Sequence, residues 1–288
     1  MGQNEPDRKI WWLASYPKSG NTWIRLFINA YVTGFPVNMN SAFEYVMSDL
    51  DARITQSCSV KSITRMSFME LVMLRYAILM NIINFSVVRD VVLKTHNAKV
   101  ALDDIKLIPP ILSRGAIYIV RDPRDVVISA ADHMGMSIDD TIKAMNNERW
   151  AFKNDLGMHH FVSTWSTHVA SWVKENENVP VVFIRYEDLV ANPRKEFEAI
   201  ITHGLGMPKI DEDRMNFALE QTKFKNLQEF EKEKGFNEKS QHAKKFFRSG
   251  KVGQWVEKLT SSQVRQIEDD HGEMMEYCKY DLSPRITS

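Results

Sequence analysis

One short segment near the start of the chain contains a lysine, a glycine and several hydroxyl or amide side chains. Residues 16–23, with the sequence YPKSGNTW, follow the apolar run Ile10–Ser15 and overlap the start of a helical pattern over 23–31. Free backbone N–H groups and the helix dipole at such a junction favour an anion of phosphate size. Lys18 would add a positive charge, and Gly20 would let the backbone approach closely. These residues predict a phosphate-binding loop, although the Walker A pattern is absent.

A second candidate anion site combines Arg121 and Ser129 across the start of another predicted helix. Arg121 follows the continuous apolar run 116–120, and Asp122 before a proline is a typical helix start. The arginine and the serine could grip one phosphate, or Arg121 could instead pair with Asp122 or Asp125 in a surface network. Ligands in open α/β sheets collect at the carboxyl ends of strands, and both candidate sites lie at such ends.

His96 is the candidate general base. It follows the predicted strand 91–95, so it also falls at a carboxyl edge, where a histidine can accept a proton near neutral pH. A single histidine is more often a surface or structural residue. The hypothesis that His96 is a general base is therefore supported only by the candidate anion sites near it. His159, His160 and His168 are predicted to be exposed to solvent, because neither a cysteine nor an i, i+4 pair completes a metal site with them.

Predicted strands alternate with predicted helices along the chain. The strands are expected over 10–15, 91–95, 116–120 and 179–184, and the helices over 23–31, 41–50, 67–83, 122–131 and 161–175. Ser67 and Glu70 fit a capping box at the start of one helix. This order predicts an α/β fold with a central parallel sheet flanked by helices. Residues 230–251 are charged and poor in aliphatic side chains, which predicts a mobile flap.

Composition limits the classes of partner and compartment. The 37 lysines and arginines balance the 37 aspartates and glutamates, so no overall field favours nucleic acid or an anionic membrane. Charged residues and asparagines interrupt the apolar stretch 68–92, which rules it out as a membrane span. Two distant cysteines, Cys58 and Cys278, suit a reducing compartment, and residues 1–9 lack the features of a signal peptide. We expect a cytoplasmic protein with one domain over 1–288.

These segments together resemble the sulfotransferases that depend on 3′-phosphoadenosine 5′-phosphosulfate (PAPS), of the cytosolic type. Residues 16–23 are similar to the family's 5′-phosphosulfate loop, and residues 118–129 to its 3′-phosphate element. The sequence Lys94-Thr95-His96 matches the segment with the catalytic histidine. Segments 185–189 and 222–224 are similar to two segments on the adenine side. The five matches follow the family's order.

Two further segments extend the resemblance. Residues 247–255 are similar to the family's flap, with the pattern Arg-Lys-Gly-x-x-Gly-x-Trp, and residues 132–160 are closer to bacterial small-molecule members. Ser249 stands where the family usually has lysine, although Lys251 or Lys245 could replace that charge. The short dimerisation signature of many animal members is absent after residue 255, so a homodimer is left open.

The resemblance implies a P-loop-like architecture related to nucleoside kinases and a role for each matching residue. His96 would remove the acceptor proton, Lys18 would stabilise the leaving phosphate, and Lys94 would orient the sulfuryl group. Trp23 and Phe224 would sandwich the adenine, unless they are core residues. The implied donor-binding residues are Lys18, Ser19, Gly20, Asn21 and Thr22 for the 5′-phosphosulfate, Arg121, Ser129 and Arg248 for the 3′-phosphate, Trp23, Tyr186, Thr222 and Phe224 on the adenine side, and Ser249 and Gly250 in the flap.

The expected activity is transfer of a sulfuryl group from PAPS to a hydroxyl of a small molecule, without a metal ion. Segments 35–45, 66–80 and 133–158 are rich in methionine and aromatic residues, and they favour a phenol over an aliphatic alcohol or a sugar. A P-loop kinase is the alternative, weakened by the missing Walker A motif. A non-catalytic nucleotide-binding protein is the third possibility, and the presence of both Lys18 and His96 argues against it.

Overall fold

The computed structural model describes residues 7–40, 45–153, 158–174 and 179–284. The strands are β1 Ile10–Ser15, β2 Val46–Ser48, β3 Val91–Thr95, β4 Ala101–Leu102, β5 Ile105–Lys106, β6 Ser113–Val120, β7 Ala151–Lys153, β8 His159–Phe161 and β9 Val181–Arg185. The helices are α1 Asn21–Thr33, α2 Ala52–Ser57, α3 Phe68–Met73, α4 Arg75–Phe85, α5 Pro123–Met134, α6 Ile138–Met145, α7 Trp165–Val173, α8 Tyr186–Ala191, α9 Pro193–Ala199, α10 Glu212–Gln221, α11 Phe224–Lys234, α12 Trp255–Lys258 and α13 Ser261–Tyr277. None of these helices is long and apolar enough to cross a membrane.

The described strands form a five-stranded sheet in the order β2-β3-β1-β6-β9. All four neighbouring pairs are parallel, which confirms the predicted parallel sheet. The central strand β1 pairs Ala14 with Thr95 of β3 and Ser15 with Ile119 of β6. The carboxyl ends of these three strands therefore lie side by side at one edge. Two small antiparallel ribbons, β4 with β5 and β7 with β8, complete the described strands.

The central strands are buried on both faces. In β1, Trp12 packs into a cluster with residues of α4, α5, α7 and α13, whereas Leu13 packs on the opposite face against α1 and α9. Tyr118 and Ile119 of β6 divide between the same two clusters. Helices cover both sides of the sheet, which explains why these strands lack the alternation of apolar and polar residues seen in half-exposed strands.

The predicted capping box is present, but the predicted helix 67–83 is two helices. Ser67 Oγ accepts from the N–H of Glu70, and the Glu70 carboxylate accepts from the N–H of Ser67. Helix α3 ends at Met73, and α4 begins at Arg75 after a break at Leu74. Arg75 is buried and donates to the Asp49 carboxylate at 2.6 Å. Periodicity alone could not reveal this inward-facing arginine.

Two other predicted helices need correction. The described part of 41–50 contains the edge strand β2, because Val46 is buried in the core and Met47 pairs in register with Leu93 of β3. Residues 41–44 lie outside the described residues. The helix predicted over 161–175 begins only at Trp165, since Ser163 has a left-handed φ of 61°. Thr164 then caps α7 through its side chain, and residue 175 lies outside the described range.

The segment predicted as a flap is helical only over 230–234, and the rest of it is irregular chain. Helix α11 continues to Lys234, and a chain without helix or strand leads from there to α12. Phe236 and Phe247 are buried in a small cluster with Leu26 of α1. The Glu231 carboxylate accepts hydrogen bonds from two backbone N–H groups of this chain, at 2.6 and 2.9 Å. These contacts seat the segment on α1 and α11, and its mobility stays a prediction.

We predict that Gly115→Ala destabilises the protein. A Cβ atom at this position of β6 would lie 2.2 Å from the Trp11 ring, closer than any real contact, so the strand or the ring must shift. We expect a loss of roughly 1–3 kcal/mol in the free energy of unfolding, measured by chemical denaturation. Gly272→Ala is the control, because its Cβ meets only the flexible Leu282 side chain at 3.3 Å. Equal stability of the two variants would contradict the prediction.

Candidate active site

The carboxyl ends of all five strands of the sheet open into one cavity of about 1320 Å³, and four of them supply residues predicted for the site. The loop after β1 contributes Lys18 and Gly20, and the residue after β3 is His96. Arg121 follows β6, and Tyr186 follows β9. Parallel strands bring residues that are far apart in sequence to the same edge, as open α/β sheets do at their ligand sites.

Nearly all residues predicted for the site line this cavity. Those lining it are Lys18, Gly20, Asn21, Thr22, Trp23, Lys94, His96, Arg121, Ser129, Tyr186, Thr222, Phe224, Arg248, Ser249 and Gly250. Ser19 is the exception, since it is fully buried and does not line the cavity. Its Oγ atom has no hydrogen-bond partner within the described part of the chain.

The loop between β1 and α1 adopts a backbone that few residues tolerate. Lys18 and Gly20 have left-handed φ values of 69° and 106°. A Cβ atom on Gly20 would lie 2.6 Å from the Tyr186 ring, so only glycine fits there. Asn21 ties the start of α1 to β1, because its Nδ2 donates to the Leu13 carbonyl at 3.2 Å. The amide group of Asn21 is therefore engaged with the sheet.

Two lysines place positive charge at the cavity in a poorly solvated environment. Burial, followed by repulsion from Lys94, lowers the pKa of Lys18 from its usual 10.5 to about 8. Burial is also the main cause of the lowered pKa of Lys94. The Lys18 Nζ atom lies 4.3 Å from the centre of the Phe246 ring, a cation–π contact. An anion between the lysines would restore both pKa values towards normal.

The ring of His96 is held with one nitrogen committed. Its Nδ1 atom lies 2.9 Å from the backbone carbonyl oxygen of Ser15. A carbonyl only accepts, so Nδ1 carries the proton and Nε2 keeps its lone pair. Burial, with Lys94 and His160 adding repulsion, lowers the pKa of His96 well below 6.5. The imidazole is therefore neutral at pH 7 and has a free acceptor nitrogen, as a general base requires.

A buried tyrosine and histidine stand behind His96. The Nε2 atom of His168 donates to the backbone carbonyl of His96 at 3.2 Å, and its Nδ1 atom lies 2.8 Å from the Tyr118 hydroxyl oxygen. Burial lowers the pKa of His168 to about 3, so this histidine is neutral and its tautomer is set by the two bonds. The chain Tyr118–His168 thus fixes the backbone at the candidate base.

The sequence predicted that His159, His160 and His168 are exposed to solvent. This prediction is wrong for His160 and His168. His160 is 4% exposed and His168 is fully buried. His168 lies on the inner face of α7 between Trp165 and Trp172, at helical spacing from both. That spacing was the signal in the sequence, because it puts all three side chains on one buried stripe. The ring of His160 lies 5.6 Å from that of His96 and lines the cavity.

Arg121 connects the loop, the cavity and the C-terminal segment. Its Nη2 donates to the Lys251 carbonyl at 3.1 Å, and its Nη1 approaches the Lys18 carbonyl at 3.4 Å. The guanidinium lies 4.4 Å from the centre of the Tyr186 ring. It does pair with Asp125, at 3.6 Å, but inside the protein, since Arg121 is only 7% exposed. The surface network considered from the sequence is therefore wrong.

Asp125 also contacts the C-terminal segment, which the sequence did not indicate. Its carboxylate accepts from the backbone N–H groups of Gly253 and Trp255, at 2.8 and 3.1 Å. It thereby fixes the chain just after the residues predicted as a flap. A Cβ on Gly250, which has φ of 62°, would lie 2.8 Å from the Phe224 ring. Close packing on Phe224 explains the glycine at this position.

Lys245 and Lys251, the two lysines that could replace the family's usual flap lysine, differ in their position relative to the cavity. Lys245 lines the cavity, but Lys251 does not. The backbone carbonyl of Lys251 instead accepts from Arg121. Lys245 is therefore the side chain in position to supply the charge that Ser249 lacks.

Trp23 and Phe224 are partly exposed and line the cavity, so neither is a fully buried core residue. Trp23 packs edge-on against Tyr186 and Phe197, with ring centres 6.3 and 5.7 Å apart. Phe224 packs edge-on against Phe247 at 6.1 Å. These contacts hold both rings in place at the cavity wall, and their stacking on an adenine stays a prediction.

Only one of the three segments predicted to line the acceptor pocket reaches the cavity with described residues. His133, Met134 and Phe152, from 133–158, line the cavity. No described residue of 35–45 or 66–80 does so. Their place is taken by Ser48, Leu50, Asp51 and Ala52, which lie at and after the end of β2. Because β2 was predicted as part of a helix, its carboxyl end could not be recognised as part of the site.

No group of three or more histidine, cysteine, aspartate or glutamate side chains in the described ranges is arranged to hold a metal ion.

A family model described as "Sulfotransferase domain" matches residues 8–279. Among curated proteins, the mouse (Mus musculus) sulfotransferase 1 family member D1 is 24% identical over 273 residues, covering 92% of this chain and 82% of the relative. Cytosolic sulfotransferase 16 of Arabidopsis thaliana is 24% identical over 271 residues, covering 89% and 73%.

Solved structures share the same fold. A retinol dehydratase in complex with androsterone and the inactive cofactor PAP has a TM-score of 0.62 at 17% identity, covering 98% of this chain and 84% of that one. A mouse sulfotransferase complexed with PAP has a TM-score of 0.60 at 18% identity, covering 96% and 86%. At these identities the likeness supports the architecture alone.

We predict that Lys18→Met stabilises the fold at neutral pH. The folded protein holds the Lys18 proton less tightly than the unfolded chain, because its pKa falls from 10.5 to about 8. The charged lysine therefore destabilises the folded state below pH 8, and methionine keeps only the apolar contact with Phe246. We expect a thermal unfolding midpoint a few degrees higher at pH 7.

The gain should shrink as the pH rises from about 8 to about 10.5, because wild-type Lys18 loses its proton in the folded state across this window. Thermal unfolding at a series of pH values measures the difference. Lys209→Met, at an exposed position, is the control and should show no such trend. A midpoint for Lys18→Met at or below the wild-type value at pH 7 would refute the prediction.

Proposed function

The chain belongs to the sulfotransferase family, and from this premise we propose that it transfers a sulfuryl group from PAPS to a hydroxyl of a small molecule. Family membership confirms the resemblance noted in the sequence. The observation that carries the proposal is the neutral His96, with its free Nε2, in the same cavity as Lys18 and Lys94. A base beside two cations matches a reaction that removes a proton from one partner and neutralises a leaving anion on the other.

The residues of the cavity suit a bisphosphorylated nucleotide. Several buried polar atoms of the described residues have no hydrogen-bond partner, and two of them, Trp23 Nε1 and Arg121 Nε, belong to residues that line the cavity and can only donate. Buried donors normally have partners, so an acceptor-rich ligand in the cavity would complete these two. Two relatives of known structure contain PAP, the desulfated form of PAPS.

Each group of residues has a proposed role in holding the donor. The loop after β1 would bind the 5′-phosphosulfate, with Arg121 and Ser129 on the 3′-phosphate and aromatic rings on the adenine. The proposed set is Lys18, Ser19, Gly20, Asn21 and Thr22 in the loop, Arg121, Ser129 and Arg248 at the 3′-phosphate, Trp23, Tyr186, Thr222 and Phe224 around the adenine, and Ser249 and Gly250 in the C-terminal segment.

The chain's own residues supply positioning, proton transfer and charge neutralisation. When bound, PAPS supplies an activated sulfuryl group. His96 would accept the acceptor's hydroxyl proton on Nε2, while its Nδ1–H bond to Ser15 keeps the ring oriented. Lys18 would neutralise charge on the departing phosphate oxygen, and Lys94 would orient the transferring group. Negative charge from the donor would also raise the low pKa of His96, making it a stronger base.

The acceptor is proposed to be a phenol, with an aliphatic alcohol and then a sugar as the less favoured classes. The ring of His160 lies 5.6 Å from that of His96 and stacks on Phe152 with ring centres 4.9 Å apart, and the flexible thioether of Met134 lines the same cavity. Such a lining suits a planar apolar compound with one polar group. Retinol dehydratase, which shares this fold, has been solved with androsterone and with retinol, two apolar alcohols, and these complexes support the aliphatic alcohol as the second class.

We also propose that the enzyme acts in the cytoplasm as one domain over 1–288. One relative is named a cytosolic sulfotransferase, and Cys58 and Cys278 are free thiols, which suits a reducing compartment. A homodimer stays an open prediction.

Calorimetric titration with PAP tests the donor site. We expect binding in the low micromolar range without metal, weakened about tenfold or more by Arg121→Ala, because that substitution removes a charged donor from the anion site. Arg265→Ala, at an exposed position of α13, is the matched control and should bind as wild type does. Preference for magnesium-ATP over PAP would overturn the proposal and favour a kinase.

His96→Asn tests the base. We expect sulfation of a phenol panel by PAPS to fall by about 100-fold or more, because asparagine has no basic nitrogen. PAP affinity should change little, since the ring acts on the acceptor. His203→Asn, at an exposed position away from the cavity, should retain full activity. Unchanged turnover in His96→Asn would remove His96 from the mechanism.

A further inference from the structure

Among the described residues, three carboxylates line the cavity, those of Asp51, Asp132 and Glu238, and Glu238 is the one of the three that acts on both Lys18 and Lys94. Glu238, in the irregular chain after α11, lines the cavity together with Lys18 and Lys94. Its Oε1 atom accepts a hydrogen bond from Nη1 of Arg25 at 2.7 Å. The Glu238 side chain is 31% exposed and the Arg25 side chain is 3% exposed. A carboxylate opposes the binding of any anion in the same site, so its presence there calls for a physical explanation.

Contacts within the protein hold Glu238 in this position. Arg25 lies in α1, just after the phosphate loop, and its Nη2 donates to the Val46 carbonyl at 3.3 Å. On the other side, the N–H of Asn237 donates to Asn40 Oδ1 at 2.9 Å, and Asn40 Nδ2 donates to the Gly235 carbonyl at 3.3 Å. The carboxylate is therefore fixed at the cavity wall by both chain segments.

The charge of Glu238 acts on both lysines. Burial works to raise the pKa of this carboxyl, but Lys94, Arg25 and Lys18 outweigh burial and lower it. In return, Glu238 raises the pKa of Lys18 and of Lys94, against burial and the repulsion of neighbouring cations. Glu238 is thus ionised at neutral pH and partly neutralises the lysines before any ligand binds.

We propose that Glu238 is an internal counter-anion of the donor site, which competes with the bound nucleotide's anionic groups for Lys18 and Lys94. This inference rests on the proposed function. In the free enzyme, the carboxylate helps to keep the lysines protonated without a ligand. When the nucleotide binds, the same carboxylate repels it, because the ion pair with Arg25 keeps Glu238 at the wall. The result is weaker binding, and therefore faster release, of the product PAP.

Glu238→Gln tests the proposal by the sign of its effect. Glutamine removes the charge but keeps an oxygen that accepts from Arg25. We expect the Kd of PAP, measured by calorimetry at pH 7 and low salt, to fall by about fivefold or more. The gain should diminish as the salt concentration rises from about 50 mM to about 500 mM, because ions screen the repulsion. A merely structural role would weaken PAP binding instead.

Glu233→Gln is the matched control, because this substitution removes the same charge at an exposed position outside the cavity. Its Kd for PAP should stay within about twofold of wild type. Glu238→Ala is the second variant, should the glutamine protein not fold, and the same sign is expected. Thermal unfolding shows whether each variant is folded.

The outcomes separate this inference from the proposed function. Wild-type binding of PAP without tighter binding in either Glu238 variant overturns the counter-anion and leaves the donor site intact. Wild-type protein that does not bind PAP overturns the proposed function itself, and the counter-anion with it.

Discussion

Parallel pairing of β3, β1 and β6 is the constraint on which the rest of the structure depends. It brings Lys18, His96 and Arg121 to one edge although more than a hundred residues separate the first from the last. The polar backbone at the strand ends is then free to face a ligand, while helices on both faces bury the apolar side chains. The site is a direct consequence of where the strands end.

Concentrating cations at this edge has an electrostatic consequence. Lys18 and Lys94 are poorly solvated, so their pKa values fall, and the folded protein carries charge that it would hold more easily when unfolded. The aromatic face of Phe246 and the carboxylate of Glu238 offset part of this repulsion. The two lysines proposed to bind the donor thus reduce the stability of the free protein, a common relation at active sites.

Prediction from the sequence succeeded where the physical signal is local. The loop 16–23 could be recognised because a glycine, a lysine and a helix start lie within one strand-to-helix junction, and the cap at Asp122 rests on two adjacent residues. It failed where burial decides. Residues 41–50 carry helical spacing, yet Val46 joins the sheet. His160 in β8 and His168 in α7 are polar by type, but the fold buries both side chains.

Residue types and their spacing were therefore sufficient to recognise the family from the order of its segments, and to predict an anion site and a histidine base at strand ends. Tertiary structure alone decided which nitrogen of His96 is free, because that depends on the carbonyl of Ser15, eighty-one residues away. It also decided that Asp125 holds the C-terminal segment and that Glu238 lies beside the lysines. Hydrogen bonds and charge coupling between distant segments have no period in the sequence, since they arise only when the chain packs.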